Sequence, residues 1–158
     1  MSRQGSIATA WAGLTGTLEL FPMAVIQLML RIGVAMVFWK SGLTKVVTTE
    51  SGSWPLLPPE LGSSTVMLFE LEYQVPLLPP ELAAWLATAA ELTMPVLLVL
   101  GLGSRFAAAA LLGMTAVIQV FVYPGNWPEH LFWAGALALV LTRGAGAISL
   151  DALIAGRR

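Results

Sequence analysis

The sequence predicts an all-α membrane protein: a four-transmembrane-helix bundle with a long outer loop between helices 1 and 2. Three observations predict it. The first is composition. Of 158 residues, 57% are hydrophobic and only 11% charged, against about 45–50% and about 25% in a soluble domain. Mean hydropathy is +0.80, so a water-soluble globule would expose much apolar surface, and disorder is excluded by the same figures. The second is a set of four apolar runs of spanning or near-spanning length. The third is an uneven division of charge between the two sides those runs define.

A spanning helix needs about 20 mostly apolar residues, with a range of about 17–25. Run 22–39 is interrupted only by Gln27 and Arg31, run 82–100 contains Glu91, and run 106–123 contains Gln119. The shorter run 131–142 is preceded by Asn126-Trp127-Pro128, where proline suits a first helical turn. The predicted spans are 22–40, 82–100, 106–123 and 128–142, in a membrane domain over 22–143 with a cytoplasmic tail over 144–158. In residues 1–21, one arginine and scattered Gly and Thr argue against a signal peptide, so this stretch reads as a cytoplasmic or interfacial segment.

Four spans put both termini on one side. That side holds Arg3, Arg105, Arg143, Arg157 and Arg158, while the other holds Lys40 and Lys45 with Glu50, Glu60, Glu70, Glu72, Glu81 and Glu129. The positive-inside rule places both termini in the cytoplasm and turns loops 41–81 and 124–130 outward. The tight turn 101–105 makes spans two and three an antiparallel hairpin. Trp39, Tyr73, Tyr123, Trp127 and Trp133 fall near the outer interface and read as an aromatic belt. In the outer loop the heptapeptide PLLPPEL at 55–61 recurs at 76–82, where its prolines lead into span two. Between the copies, residues 68–73 suit a short amphipathic turn over the bundle, with Glu70 and Glu72 on a solvated face.

Charges inside a span are functional candidates by default. Arg31 and Glu91 are each the tenth residue of their runs, which puts them at matching depth on antiparallel spans. If their faces meet, they pair near the midplane, with Gln27 one turn from Arg31. One reading is a polar centre that binds a headgroup, a quinone carbonyl or a proton. The preferred reading is a structural ion pair that fixes helix registry. Gln119 suits an interhelical hydrogen bond. The outer-face candidates are Lys45, Glu70, Glu72, Tyr73, Glu129 and His130. His130 reads as an interfacial histidine at a helix start, with metal or proton binding beside Glu129 as the alternative. The seven methionines read as apolar packing before Cu(I) ligands. Ser149 suits an N-cap with Asp151 in the first turn. Ala109 with Gly113, and Ala134 with Ala138, have the small-xxx-small spacing of close helix contacts.

Several chemistries are excluded. Net charge is −1 with no basic patch, so nucleic acid is not a partner. Without cysteine, no disulfide, Fe–S or thiolate metal site is expected, and a single histidine cannot supply two haem ligands. No nucleophile–base–orienter set, phosphate loop or zinc helix is present, so no catalytic and no metal residues are assigned.

The segments Arg31-Ile32-Gly33, 38–45 (FWKSGLTK), Ala90-Glu91-Leu92, 97–105 (LLVLGLGSR) and 143–151 (RGAGAISLD) occur in an order and spacing that resemble the DoxX family of small bacterial membrane proteins, over residues 25–154. Two features depart from that pattern: Ala145 stands where many members have proline, and the first PLLPPEL copy looks like an insertion. The resemblance implies a four-helix bundle in the bacterial cytoplasmic (inner) membrane, with Arg31, Gly42, Lys45, Glu91, Arg105, Ser149 and Asp151 as members of the shared pattern. Segments 72–82 and 121–124, with Trp127 and His130, resemble most the DoxX proteins of bufferin-type operons. Those operons encode multinuclear-iron peptide-modifying enzymes and are linked to copper stress. The function implied first is a non-catalytic membrane subunit or partner in a redox- or metal-stress pathway. The second is a quinone-reactive subunit, as in thiosulfate:quinone oxidoreductase, with quinone as the cofactor. The third is a small transporter, which the lack of a broken-helix pair disfavours. No enzymatic activity is assigned to the isolated chain. The expected partners are the lipid bilayer and other membrane or periplasmic proteins, with a homo-oligomer left open.

Overall fold

The computed structural model describes residues 22–49, 55 and 59–156. Expectations for 1–21, for most of the first PLLPPEL copy and for residues 157 and 158 lie outside the described residues. Four long helices follow in order: α1 (Met23–Leu43), α3 (Pro80–Leu100), α4 (Ser104–Val117, continued by a π-helical turn Ile118–Val122) and α5 (Trp127–Arg143). Between α1 and α3 lies α2 (Thr65–Leu68), which runs into a π turn at Phe69–Tyr73, and the chain closes with α6 (Leu150–Ile154). No strand forms among the described residues, only isolated bridges Val46↔Leu61 and Thr48↔Pro55.

Each long helix buries one face. On α1 it is Arg31, Val34, Ala35, Phe38 and Gly42. On α3 it is Ala84, Thr88, Glu91, Pro95 and Leu98, together with Ala83. On α4 it is Ser104, Ala107, Ala108, Leu111 and Thr115. Steps of three, four and seven keep such residues on one stripe. The inward stripes mix small and polar residues with Val34, Phe38, Leu98 and Leu111, whereas Met29, Ile32, Leu86, Phe106, Val120 and Phe132 stand on the outside. Large apolar residues on the outside are expected where the solvent is lipid, because packing and polar contacts then hold helices together. Three helices, Met23–Leu43, Pro80–Leu100 and Ser104–Val122, are long and apolar enough to cross a membrane. The protein is therefore an all-helical membrane protein. α5 has 17 residues and packs against α4 and α1.

The close helix contacts differ from the expected ones. Gly113 and Ala109 are exposed, and Ala107, Ala108 and Ala136 supply the small buried surfaces instead. The stripe that starts at Ser104 sets the rotation of α4, and Ala109 lies off it. Between α1 and α3, a Cβ on Gly42 would stand 2.9 Å from Leu92 Cδ2 and 3.0 Å from Glu91 Cβ, so these backbones approach closely.

The described residues between α1 and α3 are tied to both helices. Thr65 Oγ1 donates to the Lys45 carbonyl at 2.8 Å, and Phe69 packs on Ala83 and Ala84. The π turn ends at Gln74, in the left-handed region at φ 42. The second PLLPPEL copy turns at Leu77 (φ 70) and enters α3 with Pro80 in the first turn.

Candidate functional site

Arg31 and Glu91 belong to two separate polar centres. The pairing expected from their matching depth is absent, and the reason is directional. Side chains on a helix lean toward its N-terminus. Residues at equal depth on antiparallel helices therefore reach opposite ways.

Arg31 reaches the end of the bundle that carries the 101–103 turn. Its Nη1 donates to the Leu98 and Val99 carbonyls at 3.2 and 3.3 Å, and its Nη2 to Ile148 O at 2.5 Å. The long side chain carries its charge from the apolar stripe to carbonyls that can accept it. Asp151 completes this centre. Its Oδ1 accepts from Gly103 N at 2.8 Å, and its Oδ2 from Ser104 N at 3.0 Å and Ser104 Oγ at 2.5 Å. The carboxylate thus caps α4 from 47 residues away and meets the positive end of its dipole. Desolvation pushes the Asp151 pKa up, but the Ser104 and Gly103 hydrogen bonds and the Arg31 charge outweigh it and hold it below the ordinary value. Ser149 caps α6 as expected, accepting from Ala152 N at 3.2 Å. Gln27 packs its amide against Gly146, which sits at φ +83. Arg105 Nη2 donates to Thr142 O at 3.3 Å. This end is a staple of charges and carbonyls that ties 143–151 to the α3–α4 hairpin.

Glu91 reaches toward the other end. Its Oε1 accepts from Ser41 Oγ at 3.0 Å, and its Oε2 lies 2.7 Å from Lys45 Nζ. Lys45 Nζ also donates to Ser41 Oγ at 2.9 Å and Ser41 O at 3.2 Å. Lys45 is 3% exposed. The chain turns after α1, and its ammonium folds back over the last turn to meet the carboxylate.

A cavity of about 480 Å³ lies against this ion pair. Phe38, Phe69, Met114 and Trp133 form apolar wall, and Ser41, Lys45, Glu91, Tyr73, Tyr123, Glu129 and His130 are among the other lining residues. Ring contacts surround it. Phe38 and Trp133 meet edge-on at 5.7 Å, Phe69 and Tyr73 at 5.0 Å, and Tyr73 and Tyr123 at 5.9 Å. Tyr123 Oη donates to Glu72 Oε1 at 2.7 Å, which ties the π turn to the end of α4. That hydrogen bond, with burial second, raises the Tyr123 pKa. Burial raises that of Tyr73.

The sequence candidates divide accordingly. Lys45, Glu91, Tyr73, Glu129 and His130 line the cavity, whereas Arg31 and Gln27 stand at the staple and Glu70 is exposed. His130 is 3% exposed, and its Nδ1 pairs with Gln119 Oε1 at 2.7 Å, an interhelical bond. Ser41 was not among the sequence candidates, and Trp133 was read as part of the aromatic belt. Ser41 is four residues before Lys45, and that spacing was a usable signal. Among the described residues no group of three His, Asp or Glu side chains stands together as metal ligands.

A family model described as DoxX matches residues 26–124. No curated protein and no solved structure matches the chain.

Proposed function

We propose, from the premise that the chain belongs to the DoxX family, that it is a membrane subunit which binds a small ring ligand of the quinone class in the cavity beside Lys45 and Glu91. The observation that carries this reading is the cavity itself. Its volume of about 480 Å³ falls among ligand pockets of about 300–1,000 Å³. Its walls are aromatic and apolar, with a few converging polar groups. The Lys45 ammonium supplies positive charge for a ring oxygen, while its protons are shared with Glu91 and Ser41 and the Ser41 proton goes to Glu91. Phe38, Phe69 and Trp133 supply flat apolar surface for the ring.

This reading takes all four long helices as spans with both termini in the cytoplasm. α5 is about 25 Å long at 1.5 Å per residue, at the short end of the spanning range. Arg105 and Arg143 then face the cytoplasm, and the cavity lies in the outer half of the bilayer. With one histidine and no cysteine in the sequence, electron transfer to or from the ligand falls to a partner protein in the same membrane.

The test is equilibrium dialysis of the detergent-purified chain against decyl-ubiquinone, read by mass spectrometry. Saturable binding that weakens in Lys45→Met and not in the distant Arg105→Gln supports the site. Binding that is unsaturable, or equal in all three proteins, removes it.

A further inference from the structure

The cavity has a second polar wall, opposite in hydrogen-bonding character to the lysine, and it is made by His130. Gln119 Nε2 donates to the Pro124 carbonyl at 2.9 Å. A carbonyl only accepts, so this contact fixes which end of the Gln119 amide is the NH₂ group. The Oε1 end then faces His130 Nδ1 at 2.7 Å. An amide oxygen also only accepts, so the proton of the neutral imidazole sits on Nδ1 and Nε2 carries the bare lone pair.

The position of the ring decides where that lone pair is used. His130 lines the cavity of about 480 Å³, and Gln119 does not. Gln119 and His130 together line a second, smaller cavity of about 270 Å³. The imidazole therefore borders both cavities, and with Nδ1 committed to Gln119, Nε2 is the ring nitrogen left for a ligand. Trp133 holds the ring at a centroid distance of 5.0 Å and an interplanar angle of 53°. With 3% of the residue exposed, a tautomer change means breaking a buried hydrogen bond.

We propose that His130 selects the hydroxyl form of the ring ligand, a hydroquinone, over its carbonyl form, a quinone. The proposal rests on the ring-ligand reading of the cavity given above. The Lys45 charge attracts a carbonyl or a hydroxyl oxygen alike, so it does not distinguish the two forms. At Nε2 the two forms differ. A hydroquinone presents an O–H to the lone pair, whereas a quinone presents a second lone pair with no proton between. The pocket recognises the reduced ring by the same logic that lets a buried acceptor reject an analogue lacking its donor.

The test is equilibrium dialysis of the purified full chain at pH 8 under argon, with three probes: decyl-ubiquinol, decyl-ubiquinone and the dimethyl ether of decyl-ubiquinol. The quinol is expected to bind about tenfold tighter than the other two, the worth of one hydrogen bond. His130→Phe is expected to erase that margin. Gln119→Met, which releases the ring, is expected to shrink it. Equal binding of the three probes to the unmodified protein overturns the proposal, as does a margin that survives His130→Phe. If quinone and quinol bind alike at a Lys45-dependent site, the selection fails and the cavity reading stands. If no probe binds, both fail.

Discussion

Lys45 Nζ stands 2.7 Å from a Glu91 carboxylate oxygen, with 4% of each side chain exposed. The pair joins the residue just past α1 to the middle of α3, and Ser41 hydrogen-bonds to both members. Removing one partner leaves a buried charge alone, at a cost of about 3–5 kcal/mol, while replacing both with apolar groups is often neutral. Glu91→Ala is therefore expected to lower the thermal midpoint in detergent sharply. The double variant Lys45→Met, Glu91→Leu is expected to recover most of that loss without recovering quinone binding. Differential scanning fluorimetry with dialysis on the same samples checks both. A double variant that binds quinone like the unmodified protein would show that the pair serves only registry.

The Asp151 cap carries a pH dependence. Its folded pKa lies below the ordinary aspartate value of 3.8, held there by the Ser104 and Gly103 donors against the opposing effect of desolvation. Its stabilising contribution is present in full above the unfolded value and is lost as pH falls through the lowered folded one. Asp151→Asn is expected to lower the thermal midpoint at pH 7 and to flatten its dependence on pH below about 4, the ordinary aspartate range. Thermal scans of both proteins across pH 3 to 7 would show the curves converging at the acid end. Parallel curves would contradict the assignment.

Gly101 ends α3 at φ +67, and a Cβ there would run into the Arg31 guanidinium and Ser149. Gly101→Ala is expected to destabilise by more than about 1 kcal/mol, since left-handed strain and displacement of Arg31 add. Gly113 lies in α4 with nothing within 4 Å of its ideal Cβ. Gly113→Ala is expected to be neutral or to stabilise by up to about 1 kcal/mol through helix propensity. Chemical or thermal unfolding of the two variants side by side checks the contrast.

The sequence carries some of this plainly. Helices are legible where about 20 apolar residues run together, because the bilayer demands length and composition and little else. Rotation about each helix axis is less legible. Ala109 and Gly113 had the right spacing for contact, but Ser104, Leu111 and Thr115 define the buried stripe of α4, and the glycine faces outward. Depth placed Arg31 and Glu91 together, and the N-terminal lean of side chains moved them apart. Ser149 and Asp151 are readable as a local cap. The bond from Asp151 to Ser104, 47 residues away, depends on how the chain returns to the hairpin. His130 is legible as a residue at a helix start, but its burial is not. Its burial comes from Gln119, Trp133 and the π turn, which no local pattern announces.

The most direct measurement is mass spectrometry of the organic extract of the protein purified in mild detergent from its membrane. The account predicts a quinone-class molecule near one per chain, lost in Glu91→Gln and retained in Arg105→Gln. An extract holding only bulk phospholipid, the same in all three proteins, would contradict it and leave Lys45 and Glu91 as a structural pair.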